Sequence, residues 1–128
     1  MKRETILFLN DILDSIKNIG LFMANVSKKN FYDNKEKQSA VVRQIEIIGE
    51  AVKNLPIWLT SEYPEVPWRY IAGMRDIITH SYFKLDLDKV WEVIEKDFPD
   101  LKEKILKIKE ELEKEELQKT QRNKNKEK

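Results

Sequence analysis

The chain has 128 residues, with 24 basic and 23 acidic side chains, one histidine and no cysteine. That length suits one domain with its own core. The cysteine count excludes a disulfide framework and a thiolate metal site, and a lone histidine excludes a paired-histidine zinc site within the chain.

No stretch reaches the roughly 18–20 continuous apolar residues of a membrane span, and the first residues are polar, without a signal-peptide pattern. A cytoplasmic protein with no membrane partner, metal or cofactor is expected; there is no Gly-rich phosphate loop. The near-neutral net charge hides a segregation. Residues 1–108 carry 17 basic and 17 acidic side chains, residues 109–117 are net −3, and residues 118–128 are net +4. A nonspecific nucleic-acid binder shows a domain-wide basic excess, so any nucleic-acid contact here is local, helped at most by the tail.

The apolar spacing is helical almost throughout. Ile6, Leu9, Leu13 and Ile16 predict a first helix over about 3–25. Ser27 is placed to cap a short turn at about 28–34. Val41, Ile45, Ile48, Val52 and Leu55 alternate spacings of four and three, which predicts a helix over about 35–54. Ala40, Ile47 and Ala51 give that helix a second apolar face, as expected if another subunit covers it. A loop with a short turn near Trp58 should run from Pro56 to Val66. Pro67 opens a predicted helix over about 67–82. The last helix begins near Asp86–Asp88 and runs to about 116, kinked or restarted at Pro99. Leu101, Ile105, Ile108 and Leu112 supply its core stripe. No alternating run argues for a strand. The expected fold is all-α, an antiparallel four- to five-helix bundle over 1–114 forming a two-fold homodimer, with 115–128 a frayed or disordered charged tail. Gly49 and Gly73 fall inside predicted helices, where glycine costs about 1 kcal/mol relative to alanine; close backbone approach is the usual compensation.

The chemistry concentrates in Arg75-Asp76-Ile77-Ile78-Thr79-His80-Ser81-Tyr82-Phe83. Histidine exchanges protons near neutral pH, and arginine's planar fork fits phosphate. On a regular helix Arg75 and Tyr82 share a face, whereas Arg75 and His80 diverge by about 140°. Three arrangements would join them: the helix ends or distorts near Thr79, the arginine reaches around, or His80 meets its partner across a subunit interface. Glu46 and Glu50 share a helix face and are placed to orient Arg75 or His80, with Arg43 as a further pairing partner. Asp76 and Thr79 flank the motif. Trp58, Trp68 and Trp91 are read as packing residues.

The segment RDIITHSYF, followed by LDLDKVWEVIEKDFPDLKEKI, resembles the HepT-like toxin family of the HEPN superfamily of helical ribonucleases. Upstream, RQIEIIGEAVKNLP and YPEVPWRYIAGMRD resemble the same family in the same order, so the likeness reaches to about residue 108. It implies an all-helical homodimer whose two motifs line a shared cleft. It implies metal-independent endoribonuclease activity carried by Arg75 and His80. It also implies a type VII toxin–antitoxin role, in which an MntA-type nucleotidyltransferase antitoxin transfers AMP to the motif tyrosine, Tyr82. The competing reading is a non-catalytic helical dimer that is merely the binding partner and substrate of such an enzyme.

Overall fold

A computed structural model describes residues 2–80 and 84–126. Helix α1 (Lys2–Met23) ends where Asn25 takes the left-handed conformation, φ 61°, which asparagine tolerates better than most residues. The short α2 (Lys28–Tyr32) is capped by Ser27, whose hydroxyl accepts from the Asn30 N–H at 3.1 Å. Asn34 caps α3 (Lys35–Lys53) through the Lys37 N–H at 3.0 Å. Then come α4 (Ile57–Glu62), α5 (Trp68–Ala72) and α6 (Met74–Ile78). Two-residue strands β1 (Thr79–His80) and β2 (Lys84–Leu85) pair antiparallel. Asp86 caps α7 (Leu87–Glu92) through the Lys89 N–H. A π-helical turn (Val93–Asp97) leads into α8 (Phe98–Lys126). Among the described residues the fold is all-α apart from the β1–β2 pair.

The core is built by α1, α3 and α8. Asn18 of α1 donates to Gln44 of α3 at 3.3 Å, and further along Phe8 and Asp11 share a groove with Ala51 and Asn54. The two helices are therefore antiparallel. The α3 stripe Val41, Ile45, Ile48, Val52 and Leu55 is buried as expected, and so are Leu101, Ile105, Ile108 and Leu112 of α8. On α1 the buried positions are Thr5, Leu9, Ile12, Ser15, Ile16 and Ile19, while Ile6 and Leu13 are only partly covered. Two apolar stripes overlap on this helix, and the one that includes the polar Thr5 faces inward. Ala51 is buried, but Ala40 and Ile47 remain half-exposed. Among the described residues no helix is long and apolar enough to cross a membrane.

Three expectations are corrected. The helix expected over about 67–82 is two five-residue helices hinged at Gly73, followed by the extended backbone of β1. The Gly73 N–H ends α5 on the Arg69 carbonyl at 3.0 Å, and the Asp76 N–H restarts the turn on the Gly73 carbonyl at 3.1 Å. The strand pair, unforeseen in the sequence, is closed by the Asp86 N–H donating to the Ile78 carbonyl at 2.7 Å. The last helix does not stop near residue 116; it continues to Lys126. Pro99 falls in the first turn of α8, which begins at Phe98 after the π turn, in keeping with a restart there. The ladder widens to an i→i+5 bond, Phe98 N–H to Val93 carbonyl, one residue before the proline that lacks an N–H.

Gly49 positions the site. A Cβ placed there would lie 3.2 Å from the Ala72 carbonyl oxygen and 3.6 Å from that of Ile71. The end of α5 thus rests directly on the backbone of α3, just ahead of Gly73 and Arg75. Gly49→Val should push this crossing apart and lower stability by about 1–3 kcal/mol, the usual cost of overpacking, measured by urea unfolding; an unchanged midpoint would show that the crossing yields freely.

Candidate active site

The α3–α5 crossing brings the start of α6 against one face of α3. Arg75 projects from α6, and its Nε lies 3.8 Å from Oε1 of Glu46. The other oxygen of the same carboxylate, Oε2, lies 3.5 Å from a terminal nitrogen of Arg43. Glu46 therefore stands between two guanidinium groups. The Arg75 side chain is 67% exposed, so the pair adds little to stability. Its effect is orientation: the carboxylate stands at the Nε edge of the guanidinium, away from the two terminal nitrogens in the planar fork.

These residues border a cleft of about 200 Å³, with Glu50, Gly73 and Asp76 also in its wall. Lys53 lines it too, and its Nζ is 3.5 Å from Glu50. The sequence reading missed Lys53, although residues 46, 50 and 53 fall on one helix face and so carried the signal. The charged lining is three cations, Arg43, Lys53 and Arg75, against three acids, Glu46, Glu50 and Asp76. An anion entering here is selected by the placement of the guanidinium N–H groups, since the wall has no net charge.

The helix ends before the histidine. Thr79 turns its hydroxyl back to the Arg75 carbonyl at 2.8 Å, and its backbone is extended, with φ −107° and ψ 118°. The backbone does end its helix near Thr79, the first of the three expected arrangements. His80 is described by its backbone alone, paired across the ladder with Lys84. Tyr82 lies outside the described residues, in the link between the two strands. Trp68 and Trp91 pack against the core, with the Trp68 indole N–H on the Tyr63 carbonyl at 3.0 Å, whereas Trp58 is exposed. Among the described residues no three of His, Asp and Glu gather closely enough to hold a metal ion.

A family model for HepT-like ribonucleases matches residues 12–108. The chain belongs to the HepT-like ribonuclease family. It is 47% identical over 114 residues to a protein of Methanocaldococcus jannaschii named "gamma-glutamylcyclotransferase and putative RNase"; the match covers 89% of this chain and 51% of that one. The chain thus spans about half the length of this relative. It is 41% identical over 108 residues to a "probable ribonuclease HepT" of Thermococcus cleftensis, covering 84% of this chain and 98% of the relative. A "putative RNase" of Caldanaerobacter subterraneus is 38% identical over 101 residues, or 79% and 90% of the two chains. No solved structure matches the chain.

Behind the site, Tyr70 of α5 donates to Asp97 of the π turn at 2.6 Å, and the Lys89 ammonium lies 5.4 Å from the tyrosine ring centre. Burial pushes the phenol above its ordinary 10.0, the Asp97 carboxylate adds to the shift, and Lys89 opposes it. The phenol raised in the fold contributes stability in full below pH 10.0, and that contribution is lost as pH climbs through the folded value. Tyr70→Phe should cost about 1–2 kcal/mol at neutral pH. By chemical denaturation the gap between wild type and variant should narrow as pH rises above 10.0; a constant gap would show that the phenol's ionisation does not matter.

Proposed function

We propose that the protein is an endoribonuclease that cuts RNA without a metal, through the RNA's own 2′-hydroxyl. We propose further that it acts as the toxin of a type VII toxin–antitoxin pair. The observation that supports the first part is Arg75, fixed by Glu46 at a small cleft, one helical turn before the chain leaves the helix and reaches His80. Membership of a ribonuclease family supports it independently.

In this reading the terminal nitrogens of Arg75 hold the scissile phosphate and stabilise the charge it gains in the transition state. One histidine removes the proton of the 2′-hydroxyl. The freed oxygen attacks phosphorus, the bond to the 5′-oxygen breaks, and an acid protonates that leaving oxygen. The products are a 2′,3′-cyclic phosphate and a 5′-hydroxyl. Base and acid stand on opposite sides of phosphorus, so one His80 cannot conveniently be both at once. A two-fold homodimer supplies a second His80 to the same cleft. Glu46 is a positioning residue acting through Arg75; Glu50, Asp76, Thr79 and Arg43 complete the surroundings.

Cleavage should persist in EDTA, leave cyclic phosphate ends and fail on RNA carrying 2′-O-methyl at the scissile position. Arg75→Ala and His80→Ala should each slow it by at least about 10²-fold, and the active species should have the mass of two chains by light scattering. Efficient cutting of the methylated RNA, or full activity as a monomer, would overturn this mechanism.

Control is proposed to act at Tyr82. Tyr82 stands two residues past His80 in the motif, and adding AMP to its phenol would attach a bulky anion to the motif that opposes the RNA phosphate by charge and volume together. Co-expression with a cognate MntA-type nucleotidyltransferase should add AMP to Tyr82 and silence the protein, and Tyr82→Phe should stay folded and escape silencing. Intact-mass and peptide mapping decide it: an unmodified chain, or AMP found on Tyr32, Tyr63 or Tyr70, would refute this form of control.

A further inference from the structure

The buried positions of α8 follow one seven-residue rhythm: Phe98, Leu101, Ile105, Ile108 and Leu112. Leu112 is the last buried residue, yet the helix continues to Lys126, an overhang of about 20 Å. Carried forward in phase, the same stripe meets Glu115, Lys119, Arg122 and Lys126. The face that is apolar inside the bundle becomes basic in register once the helix leaves it. Lys119, Arg122 and Lys126 fall within about 60° of one another around the axis. Residues 118–126 carry four basic side chains and no acid. None of the four is ion-paired among the described residues. The family match covers residues 12–108, so this overhang lies beyond it.

We propose that the overhanging end of α8 is an RNA-binding arm, with Lys119, Arg122 and Lys126 gripping consecutive phosphates of a substrate strand. Two other occupants fit less well. A second copy of the helix would set like charges against each other along the very stripe that a coiled coil needs apolar. A lipid surface requires an apolar face opposite the basic one, and Leu117 is the sole large apolar residue between 113 and 126. Single-stranded phosphates need only a row of cations, and the arm would supply the basic surface that the charge-balanced cleft lacks.

This inference rests on the protein being a ribonuclease, so the test reads binding apart from cutting. The probe is a short, fully 2′-O-methylated RNA, followed by fluorescence anisotropy across a salt series with the full chain. The comparison is the triple variant Lys119→Gln, Arg122→Gln, Lys126→Gln, whose replacements keep helix-favouring side chains; circular dichroism confirms the fold. Losing three phosphate contacts should flatten the slope of log affinity against log salt by about 2, at roughly 0.7 per contact, with affinity at low salt falling tenfold or more. An unchanged slope in a variant that stays folded overturns the arm while leaving any RNA cleavage by the wild type intact. Arm-dependent binding by a wild type that cuts no RNA sustains the arm and defeats the catalytic reading. Loss of binding to vesicles of equal phosphatidylserine and phosphatidylcholine, with RNA binding retained, would assign the stripe to membranes and overturn the proposal.

Discussion

The contact between Gly49 and the carbonyls of Ile71 and Ala72 governs the geometry of everything around the cleft. It holds the end of α5 so close to α3 that a side chain at this position would be crowded against the Ala72 carbonyl. At Gly73 one helix ends and the next begins. Together they deliver Arg75 to within ion-pair distance of Glu46, a residue 29 positions earlier in the chain. A looser crossing would leave Arg75 an ordinary exposed arginine among many. The energetic weight of the site therefore lies in backbone packing, and the exposed ion pair only aims a group that the packing has placed.

Much of this was legible in the sequence where burial follows a single unambiguous stripe. Val41 through Val52 on α3, with Leu55 just past its end, and Leu101 through Leu112 on α8 follow the main apolar stripe of each helix, and both sets are buried. On α1 two stripes compete, and local pattern alone cannot choose one that includes Thr5 over one that includes Ile6. The hinge at Gly73 was visible only as an unusual glycine. The β1–β2 pair is too short to leave an alternating signature; it depends on long-range closure of Asp86 onto Ile78. Of the site, the shared face of Glu46 and Glu50 was readable from spacing, but the distance of Glu46 from Arg75 is a tertiary fact. Lys53 was overlooked because its pairing with Glu50 looks like any solvent-facing pair.

The end of α8 illustrates a different limit. Glutamate, lysine and glutamine are good helix formers, so nothing in residues 113–126 stops a helix. Polar composition suggested fraying, because it offered no core to hold the segment. Helical continuation and core burial are separate properties, and the overhang has the first without the second.

The π-helical turn has a consequence for registration. Val93 and Phe98 are both buried although five residues separate them. An uninterrupted α-helix from α7 into α8 would bring Asp97 under the core and swing Phe98 aside. The wide turn holds one surplus residue, which resets the rotational phase between the two helices. It also turns Asp97 outward to Tyr70. The segment therefore acts as a mechanical coupling with an adjustable angle. The α7 side packs against α6, the α8 side follows the core, and neither helix has to compromise its own packing to suit the other.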